Sequence, residues 1–143
     1  MFEYHGWVTL RSTAAAVDPE PELDWAAIKR HVQEWGDYAV VDLRGHNGIP
    51  FAHMWGQPNH RLPDAIDFFA GLGRLAPGSY GLLHVWDDEH PEHRNEFRVH
   101  RMVRGQVTEH PEPLLSPCLP VLEDKWSWDD EGGAPEPGTP PSC

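Results

Sequence analysis

The chain has 143 residues, with 23 acids against 11 bases and a formal net charge of -12. That length suits one domain with a tail, and the charge argues against direct binding to nucleic acid or to an anionic membrane. Basic proteins, metal ions and cationic small molecules remain as partners.

Apolar residues make up 39% of the chain and there are seven Trp, too much for a wholly disordered acidic polymer. No apolar run approaches a membrane span, and no signal peptide is visible at the N-terminus. Cys118 and Cys143 are the two cysteines, which is no disulfide framework and no CxxC pair. A cytoplasmic, reduced protein is expected.

Tyr4 to Arg11 reads as a strand: Gly6, Val8 and Leu10 alternate with Trp7, Thr9 and Arg11, so both faces have something to meet. Asp18-Pro19-Glu20 has the chemistry of a helix start. Trp25, Ile28, Val32 and Trp35 then form one apolar stripe at helical spacing, and Gly36 is the stop. Tyr38 to Arg44 is a second strand, followed by the turn residues Gly45-His46-Asn47-Gly48. Ile49 to Trp55 is its hairpin partner, and Pro50 argues for a sheet edge.

A second helix is expected from Pro63 to Leu75, burying Ala65, Ile66, Phe69, Leu72 and Gly73. Tyr80 to Asp87 is the clearest strand, and Asp88 to Asn95 a polar loop. Phe97 to Val103 alternates as a strand and turns at Arg104-Gly105 into a short one at Gln106 to Thr108. From His110 onward, prolines argue against regular elements, and Leu114, Leu115, Leu119, Val121 and Leu122 predict a packed, proline-rich strap. Residues 127–143 are acid, Gly and Pro, with four of the 15 prolines in the last nine positions, and read as a disordered tail.

This order predicts an α+β fold in the split strand–helix–strand arrangement, an antiparallel sheet of about five to six strands with two helices on one face. Residues 1–126 form the expected domain.

A series of short segments runs along the chain: Tyr4-His5-Gly6-Trp7-Val8-Thr9, then Ala76-Pro77-Gly78-Ser79-Tyr80-Gly81-Leu82-Leu83 and Asp87-Asp88-Glu89. Asn95-Glu96-Phe97, Leu115-Ser116-Pro117-Cys118-Leu119-Pro120 and Glu123-Asp124 continue it in order. In these segments residues 1 to about 126 resemble the immunity protein 7 family of bacterial polymorphic toxin systems. It implies an α+β immunity protein that binds and neutralises a toxin encoded beside it. No catalytic residue or cofactor is carried over.

Four groups of residues invite a chemical reading. Asp87-Asp88-Glu89, extended by Glu92, is ordinarily a solvated loop. As a docking patch its crowded carboxylates would gain from a cationic partner, here a basic toxin domain such as a nuclease. Trp86 flanks it, and Glu123, Asp124 and Trp126 make a second acid-and-Trp patch. Trp25, Trp35 and Trp55 are assigned to packing, and Trp128 stands beside the second patch.

A rival from another class is a metal-binding module or metal-dependent enzyme using His84, Asp87, His90 and His93. With ten His in the chain, neat spacings also arise by chance. Cys118 lies in an apolar strap with nothing nearby to lower its pKa, which reads as packing. No Gly-rich phosphate loop occurs. The expected protein is a stoichiometric inhibitor, monomeric when free, with no cofactor.

Overall fold

A computed structural model describes residues 1–36 and 40–117. The elements in chain order are β1 (Phe2–Thr9), α1 (Trp25–Trp35), β2 (Val40–His46), β3 (Ile49–Gly56), α2 (Asp64–Leu75), β4 (Tyr80–Asp87), β5 (Phe97–Val103) and β6 (Gln106–Pro111). They form one six-stranded sheet in the order β2-β3-β1-β4-β5-β6, antiparallel at every pair. The first four strands have the split strand–helix–strand order, and the β5–β6 hairpin extends it. The expected α+β class is borne out. The expected strap beyond Pro117, the position of Cys118 and the tail lie outside the described residues.

Period-two alternation decides which side chains enter the core. Phe2, Tyr4 and Val8 of β1, Ala52 and Met54 of β3, and Leu83 and Val85 of β4 share one face and are buried. Ala65, Phe68, Phe69 and Leu72 of α2 close over them, with Ile28 from α1. Phe68 takes the fully buried place expected of Ile66, which is only partly buried. His31 of α1 stacks flat on Phe68, ring centroids 4.7 Å apart, and its Nε2 lies 2.9 Å from the Phe68 carbonyl. Asp64 and Asp67 in the first turn of α2 and Arg74 in its last complement the helix dipole.

The first helix starts later than expected. Asp24, not Asp18, is its N-cap, and its carboxylate accepts the Ala27 N–H at 3.0 Å. Pro21 explains the delay. Its ring clashes with the backbone of the residue before it and disfavours helical geometry at Glu20, so a helix capped at Asp18 cannot propagate. The segment from Asp18 to Leu23 is therefore irregular and mostly exposed. Trp25, expected well inside the helix as the first member of the stripe, is instead the first helical residue and is not part of the core.

Three further expectations are corrected. Pro50 does not mark an edge, since β3 is internal and β2 is the edge strand. Pro50 sits second in β3, beyond the last β1 pairing at Thr9–Phe51, where no donor is required. Its carbonyl accepts the Leu10 N–H at 2.9 Å. The last strand runs on to Pro111, because β6 is an edge and a terminal proline costs no ladder bond there. Leu114 and Leu115 do not pack, and Leu114 is 90% exposed. The buried Glu112 carboxylate accepts the Leu114 N–H, and the resulting turn carries both leucines outward.

Both hairpin tips follow the sequence closely. Asn47 and Gly48, and Arg104 and Gly105, all have positive φ, as a two-residue turn of the primed type requires. The second turn also touches α2. A β-carbon on Gly73 would lie 2.4 Å from the Gly105 carbonyl oxygen, so bare glycine backbone lets α2 approach the β5–β6 turn.

That contact can be tested against helix propensity. Ala for Gly inside a helix gains about 1 kcal/mol, whereas overpacking against fixed backbone costs about 1–3 kcal/mol. Gly73→Ala should therefore destabilise the protein, by about 1 kcal/mol in urea unfolding. A stabilised variant would show that the turn moves aside freely.

Candidate functional site

The acidic loop begins where β4 ends. Trp86 and Asp87, adjacent on the strand, point to opposite faces. Asp87 is buried on the helix-covered side, where its Oδ2 meets Arg61 Nε at 2.9 Å. Its Oδ1 accepts the Glu89 N–H at 3.1 Å and so shapes the loop. Trp86 is also buried, and its Nε1 donates to the Arg94 carbonyl at 2.7 Å. Both residues thus hold the loop in place.

The next acids face solvent more. Asp88 pairs with the Met1 amino group. Glu89 lies 3.7 Å from His60 Nδ1, and Glu92 is exposed. Repulsion between crowded carboxylates is therefore relieved in part within the chain. Glu123, Asp124 and Trp126 lie outside the described residues.

The metal set does not assemble. His84 is on the uncovered face of β4 and Asp87 on the covered one, as their odd spacing dictates. His90 and His93 have ring centroids 4.8 Å apart, but His90 Nδ1 already accepts the Glu92 and His93 N–H groups. His93 Nδ1 is 2.9 Å from Glu96 Oε2. Among the described residues, no three His, Cys, Asp or Glu side chains are placed to hold a metal ion.

The sheet face opposite the helices presents aromatic side chains, among them Trp55, which the sequence assigns to packing. Trp7, Trp55 and Tyr80 are each well exposed there, with His5, His53 and His84 between them. Trp7 meets Tyr80 edge-on with centroids 6.1 Å apart. Arg44 Nε reaches both Asp42 oxygens at 2.9–3.0 Å, and His5 Nε2 is 2.6 Å from Glu3 Oε1. The result is an aromatic surface with polar contacts along its own strands. Trp7 alternating against Val8 was its one sequence signal.

A polar corner sits at the edge of the covered face. Arg98 and His100 of β5 and Glu109 of β6 line a cavity of about 90 Å³ together with Asp87 and Arg61. Arg98 Nε donates to Glu109 Oε1 at 2.9 Å and holds that carboxyl below its ordinary value. Burial pushes His100 down, against the opposing pull of Glu109. Each acid in this corner has a basic neighbour.

Fold and surface together define a split strand–helix–strand domain in which, among the described residues, both helices cover one side of the sheet and Trp7, Trp55 and Tyr80 stay exposed on the other. The immunity protein 7 family model matches residues 1–124, so the chain belongs to the immunity protein 7 family. A comparison with curated proteins and one with solved structures each find no match. No described helix is long and apolar enough to cross a membrane.

The polar corner sets a pH dependence. His100 has a lowered pKa in the fold, so the unfolded chain takes up its proton first as pH falls. Its stabilising contribution is complete above the ordinary histidine value of 6.5 and is lost as pH drops below it towards the folded value. Glu109, also lowered, adds a loss of the same sign below its ordinary 4.5. His100→Gln should flatten the decline in urea stability just below pH 6.5 and leave the steeper acid limb in place. An unchanged profile would remove His100 as its source.

Proposed function

We propose that the chain neutralises a cognate toxin domain by binding it one to one, with no chemistry of its own. The observation that carries this reading is the family match over residues 1–124. The bare aromatic sheet face supports it, because Trp and Tyr exposed together are the usual anchors of protein interfaces. The partner is a basic protein, for which a nuclease is a natural candidate, since the chain's net charge is -12. Capture takes place in the cytoplasm of the producing cell, and the free inhibitor is a monomer.

In this reading the acids divide by role. Asp87 and Trp86 keep the loop in shape. Asp88, Glu89 and Glu92 supply the field that draws in the toxin, with Glu123, Asp124 and Trp126 as a second patch further along the chain. Such fields act mainly on association rate and are screened by salt.

Co-expression with the product of the neighbouring toxin gene tests the function. Growth should be restored when this protein is present, and continued toxicity would contradict the reading. Replacing Asp88→Asn, Glu89→Gln and Glu92→Gln together tests the loop. Association should slow by about tenfold at low salt and lose much of its salt dependence. Equal rates for variant and wild type at both low and high salt would take the loop out of the encounter.

A further inference from the structure

A groove of about 540 Å³ lies at the other end of β4 from the acidic loop, between the segment preceding α1 and the tip of the β2–β3 hairpin. Leu10, Trp25, Ile49 and Tyr80 give it an apolar lining, and Glu20 and Glu22 form one wall. Trp25 is 40% exposed, Ile49 54% and Tyr80 45%, so the lining is open to solvent. Tyr80 joins it to the bare sheet face through its edge-on contact with Trp7.

The wall is built by the segment whose Pro21 delays α1. Residues 18–24 read Asp-Pro-Glu-Pro-Glu-Leu-Asp, with four acids and no base. Arg11 Nη2 reaches both Glu20 oxygens at 3.3 Å and offsets one of these charges from outside the segment. Glu22 makes no ion pair among the described residues. An apolar floor beside an acidic wall selects a ligand with an apolar tip and cationic flanks.

Three occupants can be weighed. The chain's own C-terminal residues are a poor fit. Ser116 Oγ accepts the Phe97 N–H, so the described chain stops beside the start of β5, at the far end of the sheet from the groove. Residues 118–143 carry six acids against one base, Lys125, and the wall repels them. A second copy of the chain meets the same repulsion, with its net charge of -12. A basic partner is complementary.

We propose that the groove seats a cationic loop of the toxin, with an apolar residue set between Trp25, Ile49 and Tyr80 and a Lys or Arg against Glu22. This rests on the toxin-binding function and names where the complex is anchored. The eight residues of β4 span about 27 Å from groove to acidic loop, with the aromatic face between them. A patch of that breadth matches a stable interface of about 800 Å² per partner. The loop then steers the toxin, and the groove holds it.

The test uses the full chain and a catalytically inactivated form of the neighbouring toxin domain, with affinity read by calorimetry. Ile49→Lys and Glu22→Lys change exposed side chains, and circular dichroism melting should show them folded as wild type. Each should weaken binding by at least about tenfold, and Glu22→Gln by less than Glu22→Lys. If wild type binds tightly and the folded groove variants bind equally well, the groove is overturned while toxin binding stands. If wild type does not bind the toxin at all, the function fails and the groove with it. If sedimentation shows wild-type dimers that Ile49→Lys dissociates, the occupant is a second copy and the proposal is wrong.

Discussion

Strand β1 is paired along both edges, by β3 on one side and β4 on the other. Its Phe2, Tyr4 and Val8 all enter the core, so its register is pinned by burial on one face. A slip of one residue would send Glu3, His5 and Trp7 inward instead. The helices then have one surface to cover. α2 meets it with Phe69 and Leu72, and bare glycine backbone lets it approach the β5–β6 turn. Two helices cover one side of six strands, and no described element covers the other. The exposed Trp and Tyr on that second side follow from the architecture.

The same economy sorts the charges. A net charge of -12 is a property of the whole chain, but its acids do different work. Four belong to residues 127–143. Asp24 caps a helix, and Asp64 and Asp67 sit at the favourable end of another. Asp87 and Glu109 are bonded to Arg61 and Arg98 inside the polar corner. Among the described residues, exposed acids cluster at the two ends of β4, in the loop after it and in the proline-interrupted segment beside its start. Screening by salt affects these two places most, because buried pairs are screened less.

Much of this was legible in the sequence. The span of β4 follows from Leu82, Leu83, Val85 and Trp86, α2 from its apolar stripe, and the hairpin tips from Asn47-Gly48 and Arg104-Gly105. The split order and the family resemblance emerged from the same pass along the chain. What stayed hidden depends on partners distant in sequence. Asp87 reads as a surface acid until Arg61, 26 positions earlier, is folded against it. Trp25 fits a core stripe until its place at the first helical residue is known. Pro50 suggests an edge because strand order is not a local property. Leu114 and Leu115 read as core because the turn at Glu112 cannot be inferred from hydropathy. Two local signals were there to be used. Pro21 argues against an early helix start, and the odd spacing of His84 and Asp87 on one strand argues against a shared metal.

The division between a sealed supporting face and an open binding face can be measured directly by hydrogen exchange. The full chain would be followed alone and with the inactivated toxin domain. Amides of Glu20 to Trp25 and of the β2–β3 tip should gain protection in the complex, while those along α2 should exchange as before. Protection gained along α2, with none at the hairpin tip, would contradict the assignment of faces.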